Sequence, residues 1–174
     1  SKVSLFINLI LENKIFKLNT TVLGAGSNTL IRDNGIKGVV IKLGSNFSKI
    51  KLINSDTLEV GAAALDRKVS NYAKDNGLSE FEFLSCIPGS IGGAVIMNSG
   101  CYGDDISKIL ISINVIDIKD CKEKVIKRDD IKFFYRGTNL PLEYIIISAK
   151  LKGKIKSKSI IEEKQNNFIE KKKL

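Results

Sequence analysis

The sequence contains no histidine, the residue most used as general base and metal ligand near neutral pH. Neither a Ser-His-Asp nor a Cys-His mechanism can therefore be assembled within the chain. Its three cysteines, Cys86, Cys101 and Cys121, are odd in number and form no Cys-x-x-Cys pair. That argues against a disulfide framework or a zinc site, and no metal is expected; a reducing, cytoplasmic setting follows. No stretch approaches the ~20 consecutive apolar residues of a membrane span, so no membrane partner is expected. The opening Ser1–Leu11 is too polar and too regular for a signal peptide and reads as structure. Proline is nearly absent, and one of the two prolines sits inside the densest glycine cluster.

What is present is a globular chain of 174 residues, 43% hydrophobic and 27% charged, long enough for one domain or two small ones sharing a core. The net charge of +9 raises the possibility of a nucleic-acid partner. Its distribution argues against one, because nine lysines against three glutamates fall between Lys150 and Leu174. Such a lysine-rich end reads as a solvated surface.

Five of the 14 glycines (Gly89, Gly92, Gly93, Gly100 and Gly103) lie between Phe83 and Gly103, interleaved with Ile87, Ile91, Ala94, Val95, Ile96 and Met97. Glycine allows close backbone approach to a ligand, and successive inward N–H groups make a concavity for anions. The apolar punctuation distinguishes this stretch from a solvent loop. It reads as a buried loop held against a flat ligand.

Around it, the spacing of Leu5, Phe6, Leu9 and Ile10 predicts a helix over 3–13. Thr21-Val22-Leu23 runs into a second glycine turn, Gly24-Ala25-Gly26-Ser27-Asn28, and a strand follows at Gly38–Leu43. A Rossmann unit would place a helix after the glycines, so that reading is rejected. Residues 50–63 predict a hairpin turning at Asn54-Ser55-Asp56. Leu65, Val69, Tyr72 and Ala73 mark one face of a helix that Gly77 can end. Ile109–Ile118 reads as a long strand with Ile111, Ile113 and Val115 on one side, Lys124–Ile126 as a short one and Tyr144–Leu151 as a buried one. Ile161, Phe168 and Ile169 sit at helical spacing with no evident partner. Without regular βα alternation the class is α+β.

Two glycine turns about 60 residues apart, each carrying Ser and Asn, together fit a long ligand with phosphate and a flat apolar body, a dinucleotide such as FAD. The Ser27 hydroxyl and Asn28 amide would supplement backbone N–H groups at the pyrophosphate, and the Ile87–Ala94 backbone would line the rings. Ser27 and Asn28 as plain turn formers remain the alternative.

The same residues resemble the UDP-N-acetylenolpyruvoylglucosamine reductase family. Gly24–Leu30 with Asp33, Gly35 and Gly38-Val39-Val40-Ile41 is similar to its first flavin motif. Glu82-Phe83-Leu84, Ile87–Ala94, Met97-Asn98-Ser99-Gly100 and Tyr102-Gly103 resemble its second, and Phe134-Tyr135-Arg136 its Tyr-Arg motif. The resemblance covers residues 5–151. It implies the FAD-binding α+β domain of the vanillyl-alcohol-oxidase and p-cresol-methylhydroxylase type, with subdomains at 1–44 and 45–151 and a basic helical tail at 152–174. It further implies non-covalent FAD, NADPH as reductant, and a UDP-sugar substrate whose enolpyruvyl group is reduced in peptidoglycan precursor synthesis. FAD would be held by Gly24, Ala25, Gly26, Ser27, Asn28 and Thr29 in the first motif. In the second it would be held by Ile87, Pro88, Gly89, Ser90, Gly92, Gly93 and Ala94, then by Asn98, Gly100, Tyr102 and Gly103. Tyr135 and Arg136 would meet the substrate, with Arg136 catalytic at its carboxylate.

The departures are Ser85-Cys86 before the Ile-Pro-Gly and Gly137-Thr138 after the Tyr-Arg. The family's protonating serine and catalytic glutamate belong to a third, substrate-binding domain absent from this sequence, so the chain is expected to supply the flavin-binding part alone. A catalytically inactive FAD-binding remnant and another flavin oxidoreductase of the same superfamily are the alternatives.

Overall fold

The computed structural model describes residues 8, 11, 12 and 19–173; of the helix expected over 3–13, Asn8, Leu11 and Glu12 are described and are helical, and the rest lies outside the described residues. The first strands among the described residues, β1 (Thr20–Val22) and β2 (Val39–Ile41), pair in parallel, Thr21 opposite Val40. The hairpin expected from sequence follows as β3 (Ile50–Asn54) and β4 (Thr57–Gly61). Helix α1 (Asp66–Asp75) comes next, then β5 (Leu78–Ser79), a 3₁₀ turn over Glu82–Cys86 and helix α2 (Ile91–Ile96). Two short strands, β6 (Gly100–Cys101) and β7 (Asp104–Asp105), form a tight hairpin. Strands β8 (Leu110–Asp117) and β9 (Lys122–Lys127) precede the small hairpin β10 (Phe133–Phe134) and β11 (Gly137–Thr138). The long strand β12 (Tyr144–Lys152), β13 (Lys154–Ile155) and helix α3 (Lys158–Lys173) complete the chain.

Five strands form one antiparallel sheet in the order β3-β4-β12-β8-β9. Its inner face carries the main core, in which Leu58, Val60, Ile113, Val115 and Leu151 meet Val69 and Ala73 of α1, Ile91 and Val95 of α2, and Phe83. Its other face bears a smaller cluster, Ile116, Cys121, Ile145 and Ile147, packed against Ile41 of β2 and Phe47. Apolar residues thus leave both faces of β12, which explains the uninterrupted Ile145-Ile146-Ile147 run: a strand covered on both sides loses the polar half of its alternation.

The register is broken twice along the β8–β12 pair, between Ile146 and Ser148 and between Lys150 and Leu151. The second break leaves Ile111 without an opposite residue. Alternation shifts there, so that Leu110 enters the core while Ile111 turns outward at 37% exposure. The expectation that Ile111 shares a face with Ile113 and Val115 fails for that reason. A similar phase error affects α1. Val69 and Ala73 are buried as expected, but Leu65 precedes the helix and is 45% exposed, lining a cleft of about 250 Å³ with Leu43, Ser45 and Lys68. Asp66 takes the buried place instead.

The terminal helix does have partners in this chain. Ile161, Gln165 and Phe168 recur on one buried face of α3, and Gln165 Nε2 donates to Ser70 Oγ (3.1 Å) and Asn71 Oδ1 (3.0 Å) of α1. Several of the lysines read as a solvated surface are also engaged: Lys158 pairs with Asp75 at 2.9 Å, and Lys164 lies between Glu82 (3.3 Å) and Asp104 (3.5 Å). Among the described residues no helix is long and apolar enough to cross a membrane.

Candidate functional site

The two glycine-rich segments, remote in sequence, lie against each other. A Cβ placed on Gly24 would stand 2.9 Å from Ser90 Oγ, so the first turn crosses the second at that point and a side chain there would displace the Ser90 hydroxyl. The backbone from Gly24 to Leu30 is exposed, tightened by a turn in which Thr29 N–H donates to Gly26 O at 3.3 Å. Gly26 has φ +82° and no atom within 4 Å of a Cβ built on it. Ala25, Ser27, Asn28 and Thr29 are exposed along the same ridge.

The second segment is not a loop throughout, as its glycine content led us to expect. After the turn over Glu82–Cys86, Ile87, Pro88 and Gly89 run to Ser90, the residue before helix α2, and Ile91-Gly92-Gly93-Ala94-Val95-Ile96 is helical. The turn is anchored by Glu82, which is 1% exposed and accepts from Ser79 Oγ (2.6 Å) and Glu80 N–H (2.9 Å). The first N–H groups of α2 are used internally: Ile91 donates to Ala64 O (3.0 Å) and Gly92 to Ala62 O (2.9 Å). A Cβ on Gly92 would meet that of Ala62 at 3.1 Å. An added side chain at 92 would therefore crowd Ala62, a packing reason for glycine there that stands beside the expected cofactor contact of its backbone. Gly93 differs, because a Cβ there would meet nothing nearer than Ser90 Oγ at 3.9 Å. Ala94 is buried behind it.

Beyond α2, Asn98 (φ +40°) is a brace. Its amide donates to Phe134 O (3.3 Å) and its carbonyl accepts from Ser107 N–H (3.2 Å). Thr138 Oγ1 donates to Ile96 O at 3.3 Å. The β10–β11 hairpin is thereby fastened to the end of α2, and it carries Tyr135 and Arg136. Arg136 has φ +57°, lies 5.0 Å from the Tyr135 ring centroid and donates through Nη2 to Gly100 O at 3.0 Å. Tyr135 is 88% exposed and Arg136 is exposed beside it. The Tyr102 ring is tilted against that of Phe168 of α3, 5.3 Å between centroids, so one side of it is taken by the terminal helix. Gly103 O accepts from Lys108 Nζ.

Cys101 donates its thiol to Phe83 O (3.4 Å), and its pKa is pushed up to about 11, chiefly by burial and then by the neighbouring Cys86 thiol. Burial is also the main reason that the Tyr102 hydroxyl titrates above its ordinary range. All three cysteines are free. Cys101 is therefore a packing residue at neutral pH, since only the thiolate is nucleophilic. The residue that sequence reasoning missed is Asp66. It lies in the helical phase set by Val69 and Ala73, a signal obscured by Leu65 beside it.

The residues present fit a dinucleotide. Two stretches of side-chain-poor backbone meet at Gly24 and Ser90, one of them exposed along its length, with the open Gly93 next to their crossing. A mixed sheet-and-helix fold with its glycine segments so joined defines a class, the flavin-binding α+β domains. The chain belongs to the FAD binding domain family, whose model matches residues 5–124.

It is 45% identical over 168 residues to the UDP-N-acetylenolpyruvoylglucosamine reductase of Pelagibacter ubique, covering 95% of this chain and 54% of that protein. The Rickettsia bellii protein of the same name is 44% identical over 145 residues, 83% of this chain and 47% of its own length. The chain spans about half the length of the curated relatives it matches. Among solved structures, UDP-N-acetylenolpyruvylglucosamine reductase from Thermus caldophilus aligns with a TM-score of 0.83 at 30% identity, covering 92% of this chain and 58% of that one. Carbon monoxide dehydrogenase from Hydrogenophaga pseudoflava aligns over 85% of this chain and 55% of its own, with a TM-score of 0.60 at 14% identity, and shares the fold alone.

Proposed function

We propose that this chain is the FAD-binding part of a UDP-N-acetylenolpyruvoylglucosamine reductase, which reduces the enolpyruvyl group of the UDP-sugar to give UDP-N-acetylmuramate for the bacterial cell wall. The observation that carries the reading is the meeting of Gly24 with Ser90, with the Tyr135-Arg136 hairpin tied to the same segment through Gly100. The similarity to reductases of that name supports it.

In this reading, backbone groups of Gly24–Thr29, with the Ser27 hydroxyl and Asn28 amide, hold the pyrophosphate, and the stretch from Ile87 to Gly93 supports the ring system. FAD, bound non-covalently, supplies hydride transfer from NADPH to the substrate double bond. Arg136 binds and orients. Its guanidinium stays charged at all working pH values and meets a carboxylate in two-pronged fashion, so it suits the enolpyruvyl carboxylate and the negative charge that grows on it during reduction. Its hydrogen bond to Gly100 O and its position beside the Tyr135 ring hold the guanidinium in place. Such work belongs to cell-wall synthesis in the cytoplasm, on which cell shape and division depend.

Adding FAD to the purified 174-residue chain and removing the excess should leave a yellow protein with flavin absorption. A protein that stays colourless after that treatment overturns the reading.

A further inference from the structure

Among the described residues, Asp66 alone leaves buried side-chain oxygens without a hydrogen-bond partner: Oδ1 and Oδ2 are both unpaired, and the residue has 0% exposure. It opens α1, and its backbone N–H donates to Gly89 O at 3.1 Å. Its Oδ2 lies only 2.5 Å from where a Cβ on Gly89 would stand. The carboxyl is therefore pressed against the Pro88–Ser90 backbone, and Ser90 is the residue whose hydroxyl faces Gly24 across the two glycine segments. An unpartnered buried carboxylate is strongly unfavourable, and such a group sheds its charge unless a counter-charge is supplied. None is supplied. On α1, Arg67 and Lys68 are exposed; on the neighbouring turn, Glu82 is bound to Ser79 and Lys164; from α3, Lys172 reaches the Cys86 carbonyl. Burial raises the pKa of the Asp66 carboxyl from 3.8 to about 7.

We propose that Asp66 is a positioning residue of the cofactor site, whose neutral carboxyl seats the Pro88–Ser90 backbone and whose ionisation drives that backbone from its place, coupling retention of the dinucleotide to one proton. The inference rests on the flavin-binding reading above. Gly89 is bare because the carboxyl occupies the space of its side chain. An ionised Asp66 gains water only by lifting the segment off α1, and that motion carries Ser90 away from Gly24.

FAD affinity of the full chain, followed by quenching of flavin fluorescence, tests the coupling. The parent should lose about tenfold in affinity between about pH 6 and pH 8, the ratio of neutral fractions for a group with a pKa near 7, whereas Asp66→Asn, neutral throughout, should show no such slope. Parallel profiles for the two proteins, or a parent affinity that rises with pH, overturn the inference and leave the flavin reading standing. Absence of FAD binding at every pH overturns both. Because the substitution could itself impair folding, the parent chain without flavin supplies a second measurement. Its infrared spectrum should show the carboxyl band of one protonated buried acid that persists well above pH 3.8, and the absence of any such band overturns the inference.

Discussion

Gly92 and Gly93 are neighbours in sequence and opposites in environment. A side chain on Gly92 would strike Ala62, whose Cβ is fixed on the loop leaving β4, whereas one on Gly93 would enter open space below Ser90. Sequence shows only a Gly-Gly pair, and nothing in a dipeptide says which member faces the sheet. Fixing that requires the phase of α2, and the glycines themselves hide the helix by weakening its propensity. The pair makes a sharp prediction. Gly92→Val overpacks the contact between α2 and β4 and should destabilise the chain by about 1–3 kcal/mol, seen as a lower melting temperature. Gly93→Val should melt closer to the parent and lose FAD affinity instead. Equal melting temperatures for the two variants would refute this assignment.

At the scale of elements, most of the strands were legible because their side chains alternate or are uniformly apolar, as in β4 and β12. The breaks in register were not, since a bulge is decided by pairing across the sheet and leaves no local mark: Ile111 looks like Ile113 until Leu110 is placed opposite Leu151. The β10–β11 hairpin is a further case. Its Tyr135-Arg136 pair reads as a site motif, and one of the bonds that fasten it comes from Asn98, 36 residues before Phe134, which the sequence marks only as an expected cofactor ligand. Asn98→Asp keeps the oxygen that accepts from Ser107 N–H and replaces the donor to Phe134 O with a second acceptor. The hairpin should therefore loosen while the sheet does not, and amide hydrogen exchange at 133–138 should accelerate with protection in β8 and β12 unchanged. Unaltered exchange at 133–138 would show that the Thr138 and Arg136 bonds suffice without Asn98.

For the whole molecule, the terminal helix decides whether the chain is a flavin domain with a trailing tail or a unit closed by that tail. Its composition, lysine at many positions, concealed a buried face only three residues deep: Ile161 and Phe168 are the apolar members, and Gln165, the polar member between them, satisfies its amide on Ser70 and Asn71 of α1. A pattern with a glutamine at its centre does not read as core, yet a buried amide with two partners is as much a packing residue as a leucine. Exposed ion pairs such as Lys158–Asp75 add little to this contact; the burial of Phe168 against the core, with its ring beside Tyr102 of the second glycine segment, carries most of it. Phe168→Ala should lower stability by about 3 kcal/mol, the low end for removing a buried aromatic. Because the ring touches Tyr102, the loss should reach the glycine segment, so that unfolding stays a single transition at a lower denaturant midpoint with FAD affinity reduced alongside it. If instead α3 melts by itself, in a separate early transition that leaves the remaining transition and the flavin affinity of the parent intact, the helix is an appendage and the unit ends at β13.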